Sequence, residues 1–281
     1  MHTPVLLRQV IEALNVHSNG LYIDATLGEG GHFIEMVNKK AKVLGIDWDA
    51  QQIKNLGKII SIDKGIFAVG NYANVEQIAK SYDFLPVDGV LFDLGLSMAQ
   101  LSESGRGFSY KALQDPLDMR IGNVGEETAA DFLNRSSKDE LYDIFAKYSE
   151  DLDSAIIAEE VIGKRKGNRI VTVKDFVQIV HSALGHCHQH KEHTVNKTLT
   201  RVFQALRIIV NDEFNNIRKG LAGAVAILKP EGRVAIISFH SLEDRVIKQF
   251  VREHGLKVVK TIKGDKELAF ERSATLRVFS K

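Results

Sequence analysis

The chain has 281 residues, of which 44% are hydrophobic and 26% charged, so it can bury a sizeable core and does not have the composition of a disordered protein. Its net charge of +1 argues against a strongly basic, free-standing nucleic-acid binder, although it allows a local basic face. A single cysteine excludes an internal disulfide and is typical of a reducing cytoplasm, and the absence of a long apolar run predicts no secretory signal and no membrane span.

Short aliphatic runs alternate with amphipathic segments over the first hundred residues, at the spacing of βαβ units. The predicted strands are 21–26, 42–47, 65–69 and 87–93, and the predicted helices lie near 31–40, 49–60 and 73–82. This alternation predicts a parallel sheet covered by helices on both faces, with a ligand at the C-terminal ends of the strands.

A glycine-rich loop follows the first predicted strand, with glycines at Gly28, Gly30 and Gly31. Glycines let a backbone approach a ligand closely, and Asp47 at the end of the second predicted strand can bind ribose hydroxyls. Phe33 occupies the third glycine position of a G-x-G-x-x-G fingerprint, which disfavours a nicotinamide oxidoreductase. A nucleoside ligand without a pyrophosphate, such as S-adenosylmethionine, fits better. Asp47 could alternatively cap the helix beginning near Asp49, and ribose binding is the favoured interpretation.

The fourth predicted strand ends at Asp93, and Gly95 and Ser97 follow it. Methyltransferases that act on exocyclic amines have a polar motif here, because a hydrogen-bond acceptor for the amine N–H restores nucleophilicity to a delocalised lone pair. Asp93 or a backbone carbonyl near Gly95 is the candidate acceptor; alternatively, Asp93 caps the next turn. The Asn/Asp-Pro-Pro-aromatic motif of many amine methyltransferases is absent.

A helical region interrupts the strand pattern. Ser137 to Glu140 is a capping box, and Thr172 to Asp175 begins a second helix. No strand is predicted from about 126 to 200. The predicted domains are therefore a sheet domain of residues 1–103 and 201–281, and an inserted helical domain of residues 104–200.

The strand and helix alternation returns after the insertion. The predicted elements are a helix over 200–228, a turn over 229–232, a strand over 233–239, a helix over 242–254 and two closing strands over 256–262 and 275–280. A terminal pair of strands without an intervening helix indicates a hairpin. This order is typical of the class I S-adenosylmethionine-dependent methyltransferases, an α/β Rossmann-like class.

A polar segment from Ser238 to Arg245 closes the fifth strand. In a functional interpretation, Phe239 and His240 stack on or hydrogen-bond a base at the edge of the sheet. In a structural one, Ser241 caps the next helix with Asp244 completing the cap.

Two further clusters favour structural interpretations. A histidine-rich segment contains His181, His186, Cys187, His188, His190 and His193, whose spacing matches no standard zinc pattern, so a polar loop without a metal is predicted. The basic run from Lys164 to Arg169 is typical of a solvated helix end, although it could also contact phosphates.

Nine segments together resemble the ribosomal RNA small-subunit methyltransferase H family, which methylates N4 of a cytidine in 16S rRNA. These segments are 2–7, 24–32, 88–97, 106–109, 116–120, 203–208, 210–213, 238–245 and 272–277. The resemblance covers nearly the whole chain. It implies a sheet domain interrupted by a helical substrate domain, and S-adenosylmethionine as the methyl donor.

The resemblance also implies the site residues and the partner. The donor contacts carried over are Gly30, Gly31, His32, Asp47, Tyr72, Asp93 and Gln100, with Gly28 in the same loop. Asp93, Ser97 and His240 are the candidate catalytic residues. The implied substrate is 16S rRNA within the assembled small subunit, in the cytoplasm, and a homodimer is left open.

Three segments depart from the family pattern. Met98-Ala99 replaces Ser-Pro, Leu268 to Phe270 replaces Asn-Pro-Arg, and Lys197 to Arg201 replaces His-Pro-Ala-Thr-Arg. The donor side is therefore closer to the family than the substrate side. Two alternatives stay open: methylation of a cytosine in another RNA or in DNA, and a ribosome-assembly factor without catalysis.

Overall fold

The computed structural model describes residues 4–57, 65–97, 100–101, 104–122, 127–185, 192–268 and 270–281. The chain divides into two compact units, which we call the sheet unit (Met1–Gly95 and Phe214–Lys281) and the helical unit (Leu96–Glu213). The helical unit begins earlier and ends later than the insertion of residues 104–200 expected from the sequence.

Seven strands form one sheet in the order β3-β2-β1-β4-β5-β7-β6. The strands are β1 Leu21–Asp24, β2 Lys42–Asp47, β3 Ile66–Val69, β4 Val87–Asp93, β5 Leu228–Ser238, β6 Lys257–Lys263 and β7 Thr275–Ser280. Strands β1 to β5 pair in parallel, and β7 runs antiparallel to both β5 and β6. The predicted α/β Rossmann-like class and the closing hairpin are confirmed.

Helices connect the strands and form the helical unit. Within the described residues they are α1 Leu7–Ala13, α2 Gly31–Asn38, α3 Ala50–Leu56, α4 Val75–Ser81, α5 Ala129–Arg135, α6 Lys138–Ser149, α7 Ser154–Arg165, α8 Val173–Gly185, α9 Glu192–Val210, α10 Glu213–Ile227 and α11 Ser241–Glu253. A short 3₁₀ helix, Tyr72–Asn74, precedes α4. None of the helices in these described ranges is long and apolar enough to cross a membrane.

The sheet unit has an apolar core on each face of the sheet, because side chains alternate along a strand. In β5, Val234 and Ile236 join the core that α4, α10 and α11 cover, whereas Ala235 and Ile237 join the core that α1, α2 and α3 cover. All four of these side chains are fully buried. Their packing holds in place the strand ends that carry the polar residues.

Strand β5 begins earlier than predicted. Residues 229–232 were expected to form a turn before the strand, but the strand assignment starts at Leu228. The pairing with β4 jumps from Leu228 opposite Val87 to Arg233 opposite Gly89, and Glu231 has a φ of 65°. The turn residues therefore bulge out of the strand instead of preceding it.

The helical unit has its own core, and its helix starts match the predicted signals. Ser137 and Glu140 form the predicted capping box at the start of α6. Thr172 and Asp175 exchange hydrogen bonds at the start of α8, from Thr172 N to Asp175 Oδ2 (2.8 Å) and from Asp175 N to Thr172 Oγ1 (3.3 Å). No strand occurs in the described parts of residues 126–200, as expected.

The predicted single helix over residues 200–228 is wrong. The chain forms α9 and α10 instead, separated by Asn211 and Asp212, and Asp212 adopts a left-handed φ of 47°. Asn211 donates to the carbonyl of Met119 (2.8 Å) and accepts from Ile121 N (2.7 Å). These tertiary hydrogen bonds hold the chain in a break that helical periodicity does not reveal.

Some predictions fall outside the described residues. They concern the end of the helix predicted over 49–60, Met98 and Ala99, four members of the histidine-rich segment (His186, Cys187, His188 and His190), and residue 269. Of that segment, His181 lies on α8 with an exposed side chain.

Candidate functional site

Three aspartates lie at the C-terminal ends of adjacent strands of the sheet unit. Asp24 ends β1, Asp47 ends β2 and Asp93 ends β4, and β1 lies between the other two strands. Asp24 is 1% exposed and Asp47 8% exposed. The sheet therefore gathers three carboxyl groups at the edge where ligands of open α/β sheets bind.

The glycine loop between β1 and α2 is held against the end of β2 by its backbone N–H groups. Leu27 N donates to the carbonyl of Ile46 (2.8 Å), and Gly28 N donates to Asp47 Oδ2 (2.7 Å). Gly30 has a φ of 77° and precedes α2 as its N-cap. A Cβ on Gly30 would lie 2.7 Å from a methyl group of Leu56, and one on Gly31 would overlap the ring of Pro4. Both positions require glycine.

Asp47 does not cap α3. Asp49 does, because its carboxylate accepts from Gln51 N (3.0 Å). Asp47 instead accepts from Gly28 N and from Asp49 N (2.8 Å), so it ties the glycine loop to the end of β2. Burial raises the pKa of Asp47 to about 6. The capping alternative for Asp47 is thus excluded.

Asp24 is the most deeply buried of the three acids. Burial is the main cause that raises its pKa to about 7, and the nearby charge of Asp47 adds to the effect. Backbone N–H groups of Thr26 and Phe33 oppose the shift. Sequence reasoning noted Asp24 only as a strand-end acid, since nothing in its local pattern reveals this burial.

Asp93 is held at the end of β4 with an unused acceptor. Its backbone N donates to Thr26 Oγ1 (2.6 Å), a residue that the sequence analysis missed. Its Oδ1 is buried and has no hydrogen-bond partner among the described residues. Burial, followed by the charges of Asp24 and Glu243, raises the pKa of Asp93 well above its usual value. A buried unsatisfied acceptor marks a place where a donor group belongs.

His32 lies beside Asp93 without forming an ion pair. Burial lowers the pKa of His32 to about 4, so the ring is neutral at pH 7. Its Nε2 lies 3.0 Å from the carbonyl of Val5, and its Nδ1 lies 3.7 Å from Asp93 Oδ2. A proton on Nε2 that donates to Val5 leaves Nδ1 as an acceptor facing the site.

Tyr72 lies next to the end of β2. Gly70 N donates to the carbonyl of Asp47 (2.9 Å), and Asn71 Oδ1 accepts from Ala73 N (2.9 Å) to begin the 3₁₀ helix. The Tyr72 ring meets the Phe92 ring edge-on with centroids 5.9 Å apart. The turn therefore carries Tyr72 to the same edge of the sheet as Asp47.

The cap of α11 differs from the predicted one. His240, not Ser241, is the N-cap, and Glu243, not Asp244, completes the capping box. His240 Nδ1 accepts from Glu243 N (3.2 Å), while Glu243 Oε2 accepts from Phe239 N (2.7 Å) and His240 N (3.3 Å). Asp244 instead pairs with Arg277 of β7 (2.5 Å). The buried Glu243 thus fixes the segment that carries Phe239 and His240.

Ser97 and Gln100 belong to the helical unit and bond to each other. Ser97 N donates to Gln100 Oε1 (3.0 Å), and Gln100 N donates to Ser97 Oγ (3.1 Å). Gln100 is 7% exposed. The structure thus brings Gly28, Gly30, Gly31, His32, Asp47, Tyr72, Asp93 and His240 together in the sheet unit, and joins Ser97 to Gln100 in the other unit.

The strand-end site favours a cationic ligand. Burial raises the pKa values of Asp24, Asp47 and Asp93, because it penalises their ionised forms. A ligand with a positive centre would stabilise these ionised carboxylates. The glycine loop leaves space for a part of the ligand that binds the protein backbone. A nucleoside with a sulfonium group fits this arrangement, and an anionic ligand does not.

Gly30→Ala is expected to weaken binding of S-adenosylmethionine about tenfold or more and to lower thermal stability. The left-handed φ and the contact with Leu56 make a side chain costly at this position, by roughly 1–3 kcal/mol. Calorimetric titration and thermal melting measure both effects. Gly163→Ala on α7 is the matched control, since its Cβ meets nothing within 4 Å and should stabilise the helix. Unchanged donor affinity in Gly30→Ala would contradict this role of the loop.

Asp24→Asn is expected to stabilise the protein at pH 8. Because the folded-state pKa of Asp24 is about 7, the folded protein retains a proton that the unfolded chain releases near pH 4. Wild-type stability therefore falls as pH rises from about 4 to 7, and the substitution should remove this loss, worth up to about 4 kcal/mol. Urea denaturation at pH 4.5 and pH 8 measures the difference.

Asp88→Asn is the control for this prediction. The Asp88 carboxylate accepts from Leu21 N (2.7 Å) and Lys229 Nζ (2.8 Å), so its neutral variant should be less stable than wild type at pH 8. If Asp24→Asn and Asp88→Asn lost equal stability at pH 8, burial of the Asp24 charge would not be destabilising the folded protein.

The chain is similar to known methyltransferases over nearly its whole length. The model of the MraW methylase family matches residues 1–280. The ribosomal RNA small subunit methyltransferase H of Dictyoglomus thermophilum is 36% identical over 291 residues, covering 99% of this chain and 96% of that protein. The protein of the same name from Halothermothrix orenii is 40% identical, covering 90% of this chain and 81% of its own length. A solved structure, a putative rRNA-methylase from Clostridium thermocellum, aligns over the full length of both chains with 12% identity and a TM-score of 0.48.

Proposed function

Since the chain belongs to the MraW methylase family and is an S-adenosylmethionine-dependent rRNA methyltransferase, we propose that it methylates the N4 amine of a cytidine in 16S rRNA. The observation that carries this proposal is the buried Oδ1 of Asp93 at the end of β4, which has no hydrogen-bond partner in the described part of the chain. An exocyclic amine offers an N–H group that can donate a hydrogen bond to this oxygen.

The donor side of the site consists of the glycine loop and the strand-end acids. S-adenosylmethionine supplies a methyl group on a positively charged sulfur. Gly28, Gly30 and Gly31 would leave space for its amino acid end, and Asp47 would accept hydrogen bonds from ribose hydroxyls. Asp24 and Asp93 would balance its charge, and Tyr72 and His32 would border it. Such a cation would lower the raised pKa values of Asp24 and Asp93.

Asp93 is proposed to act on the amine. An ionised Asp93 would accept an N–H of the cytosine amine and so localise the nitrogen lone pair for in-line attack. The proton lost after transfer can pass to the same carboxylate, whose pKa is raised by burial. Neutral His32, with Nδ1 3.7 Å from Asp93 Oδ2, would border this carboxylate without competing as a cation.

Base positioning is proposed for Phe239, His240 and Ser97, whereas Gln100 is proposed as a contact of the methyl donor. A Cβ on Gly95 would lie 3.3 Å from the Phe239 ring, so that ring borders the end of β4. His240 Nδ1 is used in the α11 cap, which limits the ring to a positioning role. The Ser97 hydroxyl accepts from Gln100 N (3.1 Å) within the helical unit.

The substrate is proposed to be the assembled small subunit, with the helical unit contributing recognition. A net charge of +1 gives weak phosphate attraction, so the shape of an assembled particle would supplement it. The cytoplasm is the corresponding location. A homodimer is testable by sedimentation of the purified protein.

The proposal is tested by transfer of a labelled methyl group to small subunits, naked 16S rRNA and large subunits, with mass-spectrometric mapping of the product. Label on N4 of one small-subunit cytidine is expected. Label confined to DNA or to large-subunit RNA would favour the second substrate class. No transfer together with weak or absent donor binding by calorimetry would favour a ribosome-assembly factor.

A further inference from the structure

A second pocket lies in the sheet unit, away from the strand-end acids. It has a volume of about 410 Å³ and lies between α11 and the β6–β7 hairpin. Its apolar lining comes from Val251, Leu256, Val258 and Phe279. Phe279 is 1% exposed and closes the floor, whereas Val258 is 54% exposed and lies at the opening. This volume suits one planar ring system.

The rim of this pocket is cationic. Lys248, Arg252 and Arg277 line it. Asp244 pairs with both Arg277 (2.5 Å) and Lys248 (2.8 Å). The three cations of the rim and this one acid together leave a net charge of +2. The side chains of Lys248 and Arg252 are exposed. An apolar pocket beneath a cationic rim suits a base with an attached phosphate.

The basic character continues beyond the rim. Arg245, Lys248 and Arg252 recur at three- and four-residue intervals, so they share one exposed face of α11. Lys257 and Lys260 of the edge strand β6 are also exposed, but they lie on the opposite face of the sheet, since Lys260 pairs with Val278, which belongs to the core under α1, α2 and α3. On the outer surface of α11, the three cations outnumber the two acids, Asp244 and Glu253. The exposed face of α11 is therefore complementary to a polyanion.

The pocket is separate from the proposed catalytic site. Arg252 is 12 residues after the His240 cap, so it lies about 18 Å further along the helix axis. A nucleotide in the pocket therefore cannot be the one that receives the methyl group.

We propose that this pocket binds an unpaired nucleotide of the rRNA substrate, with the base on the Val258 side and phosphates on Lys248 and Arg252. This inference rests on the proposed function, because it takes small-subunit rRNA as the partner. Single-stranded RNA offers unstacked bases for such a pocket, and cations fix its backbone. The pocket thus acts as an anchoring site at a distance from the cytidine.

The test compares Lys248→Gln/Arg252→Gln with wild type in methyl transfer to small subunits at several KCl concentrations. The KM for subunits is expected to rise about tenfold, and the slope of log KM against log salt to fall by about one to two. The kcat and the affinity for S-adenosylmethionine should not change. Lys39→Gln/Lys40→Gln, which removes two exposed cations elsewhere on the sheet unit, is the matched control and should leave KM unchanged.

A photo-crosslinking residue at Val258 identifies the occupant directly. A crosslink to a small-subunit rRNA nucleotide is expected. A crosslink to a ribosomal protein alone, or an unchanged KM and salt slope in the double variant, would overturn the inference. If wild type itself transfers no methyl group to small subunits, the proposed function has failed, and that result is distinct from these.

Discussion

Asp93→Ala is expected to lower kcat for methyl transfer by about a hundred- to ten-thousand-fold, the range typical of a lost proton acceptor. Without the carboxylate, the side chain at the end of β4 no longer accepts the amine N–H, and the nitrogen lone pair stays delocalised. The donor should bind more weakly, because Asp93 is also proposed to balance the sulfonium charge, but it should still bind, since the glycine loop and Asp47 are intact. Single-turnover transfer to small subunits measures the rate, and calorimetry measures donor affinity.

Asp93→Asn and Asp88→Asn complete this experiment. The Asp93→Asn variant keeps the shape of the side chain but loses the proton acceptor, so it should be nearly as slow as the alanine variant. Asp88 accepts from Leu21 and Lys229 away from the site, so Asp88→Asn should retain the wild-type kcat. A wild-type rate in Asp93→Ala would eliminate the carboxylate as the acceptor and leave the backbone near Gly95.

Glu243→Ala is expected to lower both the thermal stability and kcat/KM, each substantially. Its buried carboxylate accepts from Phe239 N and His240 N, and an unpaired buried N–H costs about 1–3 kcal/mol. Without these hydrogen bonds, Phe239 is no longer held beside Gly95, so kcat/KM should fall more than about tenfold. Thermal melting and steady-state kinetics measure both effects.

Glu243→Gln separates structure from electrostatics. Glutamine retains an acceptor oxygen and removes the charge that helps raise the pKa of Asp93. Its pH–rate profile should therefore shift toward lower pH, with stability largely restored. Glu253→Ala, at an exposed position of the same helix, should match wild type. An unshifted pH–rate profile in Glu243→Gln would mean that Glu243 only supports the cap.

The sheet was predictable because its signals are local. Strands are short aliphatic runs, and the acids that end β1, β2 and β4 can be identified without any tertiary information. Once the strands are assigned to a parallel sheet, Asp24, Asp47 and Asp93 must lie at one edge. The sequence alone therefore predicts where these three acids gather, although not their burial or their hydrogen bonds.

The errors came from interactions between distant segments. Asn211 breaks α9 from α10 because it bonds to Met119 and Ile121, about ninety residues earlier. Asp244 looked like a cap residue but pairs with Arg277 across the sheet unit, which leaves the cap to Glu243. No periodicity or capping pattern within one segment contains such information.

Burial of charge was equally invisible in the sequence. Nothing local distinguishes Asp24, whose pKa is raised to about 7, from an exposed aspartate. Burial penalises the ionised forms of Asp24, Asp47 and Asp93, which is a cost that functional sites commonly carry. The donor's positive sulfur would offset that penalty, whereas its demethylated product has no such charge.

Proton release on ligand binding tests this account most directly. Calorimetric titration at pH 7 in two buffers of different ionisation enthalpy counts the protons released by S-adenosylmethionine and by S-adenosylhomocysteine. Because the sulfonium is proposed to lower the raised pKa values of Asp24 and Asp93, the donor should release more protons than the product, and Asp24→Asn should reduce the difference. Equal proton release by the two ligands would contradict the account.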